Sequence, residues 1–453
     1  MAEKNADAQI IDKVQELLET RNWGEIRDML AEFPPQELAD FLLDIDKEDR
    51  VLVFRTLTRQ QSFEVFSYLE PDQQDDLVRE LTDAETRHLL SNLSPDDRTA
   101  LLEELPATMT RRLLRLLDSE DLAEARELLG YPEESVGRLM TPDYVDVNPE
   151  WTIGRALEQI RKEGKDSEII TMIYVTDSDD KLVDDIKLRH FILADPSAPV
   201  ESLMDRQFVS LSAFDDREKA VAMIERYDLV ALPVVDSDGE LLGIVTVDDV
   251  IDVAEEEVTE DIQKSVSVSP LRMSYRSAGI FDLYSKRVVW LIMLVLLNLT
   301  SAAVIAAYEE RLAEMVTLLF FIPLLIASGG NAGAQSATLI IRAMVTGDVR
   351  MDQWARTLGK ELAVGALLGV SLGAVGGLLG FVRGGFSTDI MIVVATAMLS
   401  IVIVGNVVGM VLPFLLARLR LDPAIASGPL ITTIADASGL LIYFAIAGLV
   451  VGL

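Results

Sequence analysis

The chain has 453 residues, of which 74 are acidic and 40 basic, and it contains no cysteine. This length predicts about three domains, and the lack of cysteine excludes disulfides, thiolate zinc sites and a cysteine nucleophile. Residues 1–285 hold 65 of the acids and 30 of the bases, a net charge of −35. A field of this sign repels nucleic acid and attracts cations, so we expect no nucleic-acid partner.

The N-terminal region contains a leucine that recurs every 12 residues. Its members are Leu57, Leu69, Leu81, Leu93, Leu105 and Leu117. Most are followed by turn or helix-cap residues such as Ser94-Pro95-Asp96, which is typical of a short helix plus a turn. One such helix cannot bury its apolar face alone, so the units are expected to stack. We predict an all-α superhelical domain over residues 1–130, which indicates a scaffold and carries no chemistry of its own.

A longer repeat occupies residues 136–251 in two copies. In each copy a Leu-Met pair precedes an amphipathic helix (153–161 and 217–226), an apolar strand (171–175 and 231–235), a turn and a further strand. The second copy has Leu-Pro-Val-Val-Asp at 232–236 and Gly-Ile-Val-Thr at 243–246. These features resemble a tandem pair of cystathionine-β-synthase (CBS) domains, an α/β fold, which we assign to residues 131–262.

The resemblance to CBS domains bears on nucleotide binding. CBS pairs often bind adenosine nucleotides through a Thr or Ser and an Asp, and Thr246 and Asp249 match these positions in the second copy. The first copy has Lys187 and His190 there, so a ribose hydroxyl would lose its carboxylate acceptor. ATP binding in the second copy and a purely structural CBS pair remain the two alternatives, and we expect ATP binding to be weak or absent.

An acidic segment follows the second CBS copy. Residues 252–261 contain six acids in ten positions and are predicted to be helical. Like charges three to four residues apart on a helix repel each other, so we expect a cation to neutralise this face. The alternative is a solvated acidic helix.

Five apolar segments are long enough to cross a hydrocarbon core of about 30 Å. They are residues 288–307, 316–344, 362–382, 390–417 and 428–453. Eight flanking bases fall on one side of these segments and only Arg311 and Arg383 on the other, and the chain starts without the apolar core of a signal peptide. By the positive-inside rule we predict a multi-pass protein of the plasma membrane with five helices over residues 287–453, cytoplasmic N-terminal domains and an external C-terminus.

Small residues mark two of the five segments. Gly365, Gly369, Gly373 and Gly377 form a stripe in the third segment, which predicts close helix packing. In the second segment, residues 328–336 read Ser-Gly-Gly-Asn-Ala-Gly-Ala-Gln-Ser. Polar and flexible residues at this depth are tolerated where they face protein or a water-filled cavity, so we predict a broken helix here.

Asp436 is the acid that lies deepest within an apolar segment. An ionised carboxylate in a membrane costs at least a few kcal/mol unless it is protonated, hydrated or paired with an ion. Thr432 lies one helical turn earlier, and Asn331 is expected to approach from the second segment. Oxygen ligands without His or Cys suit a hard, hydrated divalent cation. A proton-relay Asp and a structural protonated Asp are the alternatives.

Through these motifs the chain resembles the MgtE family of magnesium channels over nearly its whole length. The shared motifs are the leucine-rich N-domain, residues 131–141, the CBS pair, residues 321–325 and 329–338, and Asp422-Pro423-Ala424 with Asp436. The resemblance implies a homodimer with a pore on its two-fold axis, where Asp436 of both chains holds hydrated Mg²⁺. It also implies a connecting (plug) helix over residues 263–286. Gly428 departs from relatives that can carry Asn at this position.

In this family, magnesium acts as substrate and as regulator. Mg²⁺ bound among cytosolic carboxylates closes the pore, and the matching positions here are Asp249, Asp252, Glu260 and Asp261. Three functions therefore remain to be compared: a passive magnesium channel, a proton- or sodium-coupled divalent cation transporter, and a membrane-anchored sensor. We expect no enzymatic activity.

Overall fold

The computed structural model describes residues 13–14, 17, 20, 22–31, 33–69, 71–105, 107–165, 167–271, 275, 278–308 and 316–451. The chain divides into two compact units, residues 1–256 and 257–453. The first unit contains the helical N-domain and the CBS pair. The second contains the membrane helices.

The described residues of the N-domain form nine helices whose first residues are spaced 12 apart. They are α1 (Trp23–Leu30), α2 (Pro35–Asp44), α3 (Lys47–Phe54), α4 (Arg59–Ser67), α5 (Pro71–Glu80), α6 (Asp83–Leu90), α7 (Pro95–Glu104), α8 (Ala107–Leu113) and α9 (Ser119–Leu128). All six leucines of the repeat are buried between successive helices. Thr58 and Thr82 cap α4 and α6 through capping boxes, which fix the residue at which each of these helices begins.

The CBS pair folds as two similar halves. The first contains α10 (Val136–Leu139), β1 (Asp146–Val147), α11 (Ile153–Glu163), β2 (Met172–Thr176), β3 (Leu182–Lys187) and α12 (Leu188–Leu193). The second contains β4 (Leu211–Ser212), α13 (Arg217–Tyr227), β5 (Ala231–Val235), β6 (Leu241–Thr246) and α14 (Val247–Ser265). In each half the first strand pairs in parallel and the third antiparallel with the middle strand, which is almost fully buried.

Short contacts join the two CBS halves and the N-domain. Leu182 N donates to Gly239 O at 3.0 Å, and Leu241 N donates to Asp180 O at 3.0 Å. Arg138 forms a 3.1 Å ion pair with Glu103 of α7. The start of α14, which follows β6 directly, therefore lies in a unit held together by both domains.

The second unit contains five helices that are long and apolar enough to cross a membrane, by length and composition. Its helices are α15 (Ile280–Ala307), α16 (Val316–Leu319), α17 (Ile322–Val345), α18 (Trp354–Arg383), α19 (Thr388–Arg418) and α20 (Gly428–Val451). α17, α18 and α20 pack around α19, while α15 packs on α20. Tyr443 of α20 is buried and donates its hydroxyl to Leu318 O of α16 at 2.9 Å, which holds the C-terminal half of α20 against α16.

The predicted break at residues 328–336 is not observed, because α17 runs through this segment as a continuous helix. Its glycines serve close packing against α19. A Cβ atom on Gly333 would lie 2.8 Å from Gly405 O, and a Cβ atom on Gly405 would clash with Gly329 O. Glycine at these positions shortens the distance between helices without interrupting their hydrogen bonds.

The glycine stripe of the third segment packs as predicted. Cβ atoms on Gly369 and Gly373 would lie 2.9 Å from Leu399 O and 2.8 Å from Ala395 O of α19. The stripe is therefore the contact surface between α18 and α19.

The connecting helix predicted over residues 263–286 is not continuous. α14 ends at Ser265 and α15 begins at Ile280, and the described residues between them are non-helical. Ser267 adopts a left-handed conformation with φ of 61°, and Pro270 follows. Both features end a helix. A residue in the left-handed conformation turns the chain out of the right-handed helix, and proline has no N–H to donate to a helical hydrogen bond.

Candidate functional site

Asp436 lies in the first half of α20, two turns after the helix starts. Its side chain is half-buried and, within the described part of the chain, has neither a hydrogen-bond partner nor a cation. A Cβ atom on Gly330 would lie 3.1 Å from Thr432 Cγ2, so α17 and α20 are in close contact one turn before Asp436. The helix packing thus places an unpaired carboxylate in the middle of the membrane unit.

The two predicted neighbours of Asp436 differ in their surroundings. Thr432 donates its hydroxyl hydrogen to Pro429 O at 2.9 Å. The lone pairs of its hydroxyl oxygen therefore remain able to coordinate a cation. Asn331 is exposed on α17, as is Gln335 one turn later. The expected approach of Asn331 to Asp436 is not seen as a hydrogen bond among the described residues. Exposed amides on a membrane helix require water or another chain to satisfy them.

Sequence reasoning missed a second buried carboxylate, Glu361. The third apolar segment was expected to begin at residue 362, but α18 starts at Trp354 and places Glu361 inside the helix with 9% exposure. Glu361 Oε2 accepts from Asn406 Nδ2 of α19 at 2.6 Å and from Ser336 Oγ of α17 at 2.9 Å. This carboxylate therefore links three helices through hydrogen bonds.

A group of acids surrounds Asp249 in the first unit. Asp249 lies on the first turn of α14, and Asp96 is buried at the start of α7, where its Oδ1 has no hydrogen-bond partner within the described residues. Burial and the nearby charge of Asp96 raise the pKa of Asp249 to about 8, against a hydrogen bond from Thr246. Asp248 and Asp97 add to this repulsion. A cation close to this group would therefore favour its ionised form.

Asp252 belongs to the same helix as Asp249. Partial burial and the carboxylates of Glu256, Asp248 and Glu255 raise the pKa of Asp252. Nevertheless, no three Asp, Glu or His side chains of the described ranges converge closely enough to hold a metal ion. The acids are near enough to repel one another and too far apart to form a ready ligand set.

Glu260 and Asp261 lie near the end of α14, in the second unit. Lys264 forms ion pairs with Glu260 and with Asp422, whose Oδ2 lies 2.6 Å from Lys264 Nζ. Burial disfavours the charged ammonium, but the hydrogen bonds to Asp422 and Glu260 outweigh it and raise the pKa of Lys264. Burial and the charge of Asp422 raise the pKa of Asp261. The ammonium of Lys264 thus pairs with both Glu260 and Asp422 and compensates their charge.

The candidate nucleotide residues lie at the junctions of strand and helix. Thr246 ends β6 and donates its hydroxyl to Asp249 Oδ2 at 2.6 Å. In the other half, Lys187 ends β3 and His190 lies on α12, and both side chains are exposed. The Thr-Asp pair therefore exists in the second half alone.

Four residues have partners that no sequence pattern indicated. Asp96, Glu361, Lys264 and Asp422 all obtain their importance from partners distant in the chain. Asp96 and Asp422 had been noted, the first as helix-cap chemistry and the second as a family motif. No local signal indicated which residues they would face.

Models of three families match the chain. A model described as a divalent cation transporter matches residues 322–446, a model of an intracellular N domain of the same family matches residues 33–134, and the CBS domain model matches residues 136–196 and 200–256. The predicted order of helical N-domain, CBS pair and five-helix membrane domain is thereby confirmed.

Two relatives are similar to this chain over nearly the full length. "Magnesium transporter MgtE" of Thermus thermophilus is 38% identical over 96% of this chain and 97% of that protein. The protein of the same name from Enterococcus faecalis is 36% identical over 96% of this chain and 95% of that protein. A solved structure described as the cytosolic domain of the Mg²⁺ channel MgtE in complex with ATP is 36% identical, with a TM-score of 0.51, and covers 54% of this chain and 99% of its own.

Proposed function

This chain belongs to the MgtE family of divalent cation transporters, and from that premise we propose that it is a homodimeric channel through which Mg²⁺ passes down its gradient. Asp436 is the observation that carries the proposal. Its carboxylate is half-buried in α20 and lacks a protein cation among the described residues. A hydrated divalent ion supplies the missing charge, and carboxylate oxygens suit Mg²⁺ better than softer metals.

The exposed polar face of α17 supports a pore between two chains. Asn331 and Gln335 lie one turn apart on this face and would be costly against lipid. A second chain opposite this face would turn it into the wall of a water-filled path. Asp436, Thr432 and Asn331 are the residues to which we assign the ion site.

Closure of the channel is the second part of the proposal. We assign it to Mg²⁺ bound by Asp249, Asp252, Glu260 and Asp261. Because the described acids repel each other and are not preassembled around an ion, bound Mg²⁺ would favour a more compact arrangement. The ions' preference for that arrangement supplies the free energy for closure. At Glu260, Mg²⁺ must first displace the ammonium of Lys264.

A coupled transporter is the main competing function, and it differs from a channel in what drives the ion. Purified protein is reconstituted into vesicles with Mg²⁺ on one side of the membrane. The current is then recorded at several pH values and sodium gradients. A channel gives a current that reverses at the Mg²⁺ equilibrium potential and ignores proton and sodium gradients. A reversal potential that follows either gradient would establish coupling and reject the channel.

The cellular test is growth rescue of a strain that lacks magnesium uptake. We expect the wild-type chain to restore growth at low Mg²⁺. Labelling of single introduced cysteines tests the orientation, because the chain has none of its own. Cytoplasmic N-terminal domains predict protection of a cysteine at Asp179 and external labelling of one at Leu449.

ATP binding in the second CBS half is a second candidate function. It is favoured by the Thr246–Asp249 pair and by the similarity to a cytosolic domain crystallised with ATP. Titration calorimetry of the full chain with ATP tests it, with Thr246→Val as the variant and His190→Ala as the control. Binding lost in Thr246→Val and kept in His190→Ala would assign the site. Equal binding in all three proteins would reject it.

A further inference from the structure

A groove lies where the chain approaches the first membrane helix. It is an open cavity of about 190 Å³ in the second unit. Its wall includes Gln263, Val268, Leu271, Leu283, Lys286 and Arg287. We call it the juxtamembrane groove.

Three hydrogen bonds hold the walls of this groove in place. Gln263 Oε1 accepts from Leu271 N at 2.7 Å, and Gln263 O accepts from Val268 N at 2.9 Å. Ser269 N donates to Lys286 O at 3.0 Å, which ties the loop to α15. Because Oε1 of Gln263 is the acceptor, its Nε2 is left as a donor beside the cavity.

The groove is cationic although most of the soluble part of the chain is acidic. Lys286 and Arg287 have no acidic partner among the described residues. Asp282, which lies one turn before Lys286 on α15, accepts from Gly279 N at 3.1 Å. Two unpaired cations beside an amide donor match the chemistry of a phosphate.

The surface next to these cations is apolar. Phe281 is 77% exposed and Val289 69% exposed on α15, and Leu291 and Ile292 are more than half exposed. Aromatic rings and bases at the end of a membrane helix are typical of the boundary between headgroups and acyl chains. An occupant must therefore combine an anionic head with an apolar body.

We propose that the juxtamembrane groove binds an anionic phospholipid. Its phosphate pairs with Lys286 and Arg287 and accepts from Gln263 Nε2, and its acyl chains lie along the exposed face of α15. A second copy of this chain fits less well, since it would have to bring acids to a surface that is otherwise apolar. The proposal requires membrane insertion of α15 and is independent of which ion the protein transports.

Trp290 lies one turn after Lys286 on α15 and can report on the bound lipid. The chain has four tryptophans, so replacement of Trp23, Trp151 and Trp354 by Phe leaves Trp290 as the sole emitter. The full-length protein is reconstituted into vesicles of phosphatidylcholine and phosphatidylglycerol. In one preparation the phosphatidylglycerol carries brominated acyl chains, and in the other a matched part of the phosphatidylcholine carries them. Quenching of Trp290 then measures the relative affinity of the groove for the two lipids.

We expect brominated phosphatidylglycerol to quench Trp290 more strongly than brominated phosphatidylcholine. Lys286→Gln with Arg287→Gln should lower the preference about thirtyfold, from the contribution of two cations near an anionic headgroup. Arg356→Gln with Lys360→Gln removes two exposed bases at the start of α18 and should leave it unchanged. Added salt should weaken the preference.

Three outcomes would overturn the proposal. Equal quenching by both lipids in the wild-type background means that the groove does not select an anionic head. A preference kept by the Lys286 and Arg287 variant places the lipid elsewhere. Absence of quenching by either lipid means that another chain covers the groove. Chromatography of each variant confirms that it retains its assembly and that its quenching reports on a folded protein.

Discussion

Glu361 and Asp436 are both carboxylates within membrane helices, but they differ in their hydrogen-bond partners. Glu361 accepts hydrogen bonds from Asn406 at 2.6 Å and from Ser336 at 2.9 Å, which join α17, α18 and α19. Asp436 is less buried and has no partner within the described residues. Burial by itself would have selected Glu361 as the functional acid.

The difference lies in what compensates each acid. A buried polar group that is hydrogen-bonded within the fold helps to stabilise it, whereas an unpartnered one must obtain its partner from outside the chain. Glu361 is therefore assigned to helix packing. Asp436 is available to an ion.

The comparison is broken most directly at Asp436. Asp436→Asn keeps the size of the side chain and removes its charge, so Mg²⁺ transport should fall by roughly a hundredfold while folding and the proposed dimer are kept. Flux of Mg²⁺ into vesicles measures it. Asp389→Asn, which removes an exposed acid at the start of α19, is the matched control and should transport normally. Wild-type flux in Asp436→Asn would refute the pore assignment.

Changes at Glu361 should produce the reverse pattern. Glu361→Ala removes the carboxylate that accepts from Asn406 and Ser336 and leaves Asn406 Nδ2 with the backbone oxygen of residue 361 as its acceptor, so it should lower the free energy of unfolding by about 2 kcal/mol. Glu361→Gln keeps an acceptor oxygen and should lose less. Thermal unfolding in detergent measures stability, and flux per folded molecule measures function. If Glu361→Gln folds normally but loses transport, Glu361 belongs to the ion pathway.

A third kind of acid sharpens the comparison, since the neighbours of Asp249 are other carboxylates. Asp249→Ala with Asp252→Ala, or Glu260→Ala with Asp261→Ala, should leave a channel that needs about tenfold more cytosolic Mg²⁺ to close. Single-channel recording gives the closing concentration. Limited proteolysis of the full chain should show protection by Mg²⁺ in the wild type and lose it in both variants. Equal protection with and without Mg²⁺ would mean that α14 is only a solvated acidic helix.

The smallest effect concerns pH. The pKa of Asp249 is raised to about 8, above its unfolded value near 4, so the folded chain binds more protons than the unfolded chain between these values. Without Mg²⁺, the free energy of unfolding of the first unit should therefore fall as pH rises from about 4 to about 8. We expect the Tm to drop by about 3 °C over the upper half of this range.

Two changes should weaken this pH dependence. Asp249→Asn removes one titrating group, and Mg²⁺ stabilises its ionised form, so either should make the curve shallower. Part of the slope should remain, because the pKa values of Asp97 and Glu168 are also raised, to about 6 and about 7. Asp179→Asn, which removes an exposed acid of the same domain, should leave it as in the wild type. A Tm that rises with pH in the wild type would contradict the raised pKa.

Much of the architecture followed from local patterns. The leucine spacing predicted the N-domain helices because each capped turn begins the next helix 12 residues later, and α1 to α9 keep that spacing. Hydropathy predicted the five membrane helices to within a few residues at most ends, because their length depends on the thickness of a bilayer. The missed start of α18 reflects Glu361, whose charge looked like the end of an apolar segment.

The remaining differences arise from contacts between segments that are far apart in the chain. Gly329 and Gly333 suggested a break in α17, whereas the backbone of α19 at Gly405 explains them as packing residues. Composition identified an acidic region, but only the packing of α7 near α14 decides that Asp96 faces Asp249. Asp436 could be selected from the sequence because a charge in an apolar run is a local anomaly. Whether such a charge has a partner depends on the tertiary structure, because hydrogen bonds between helices join residues that no spacing in the sequence relates.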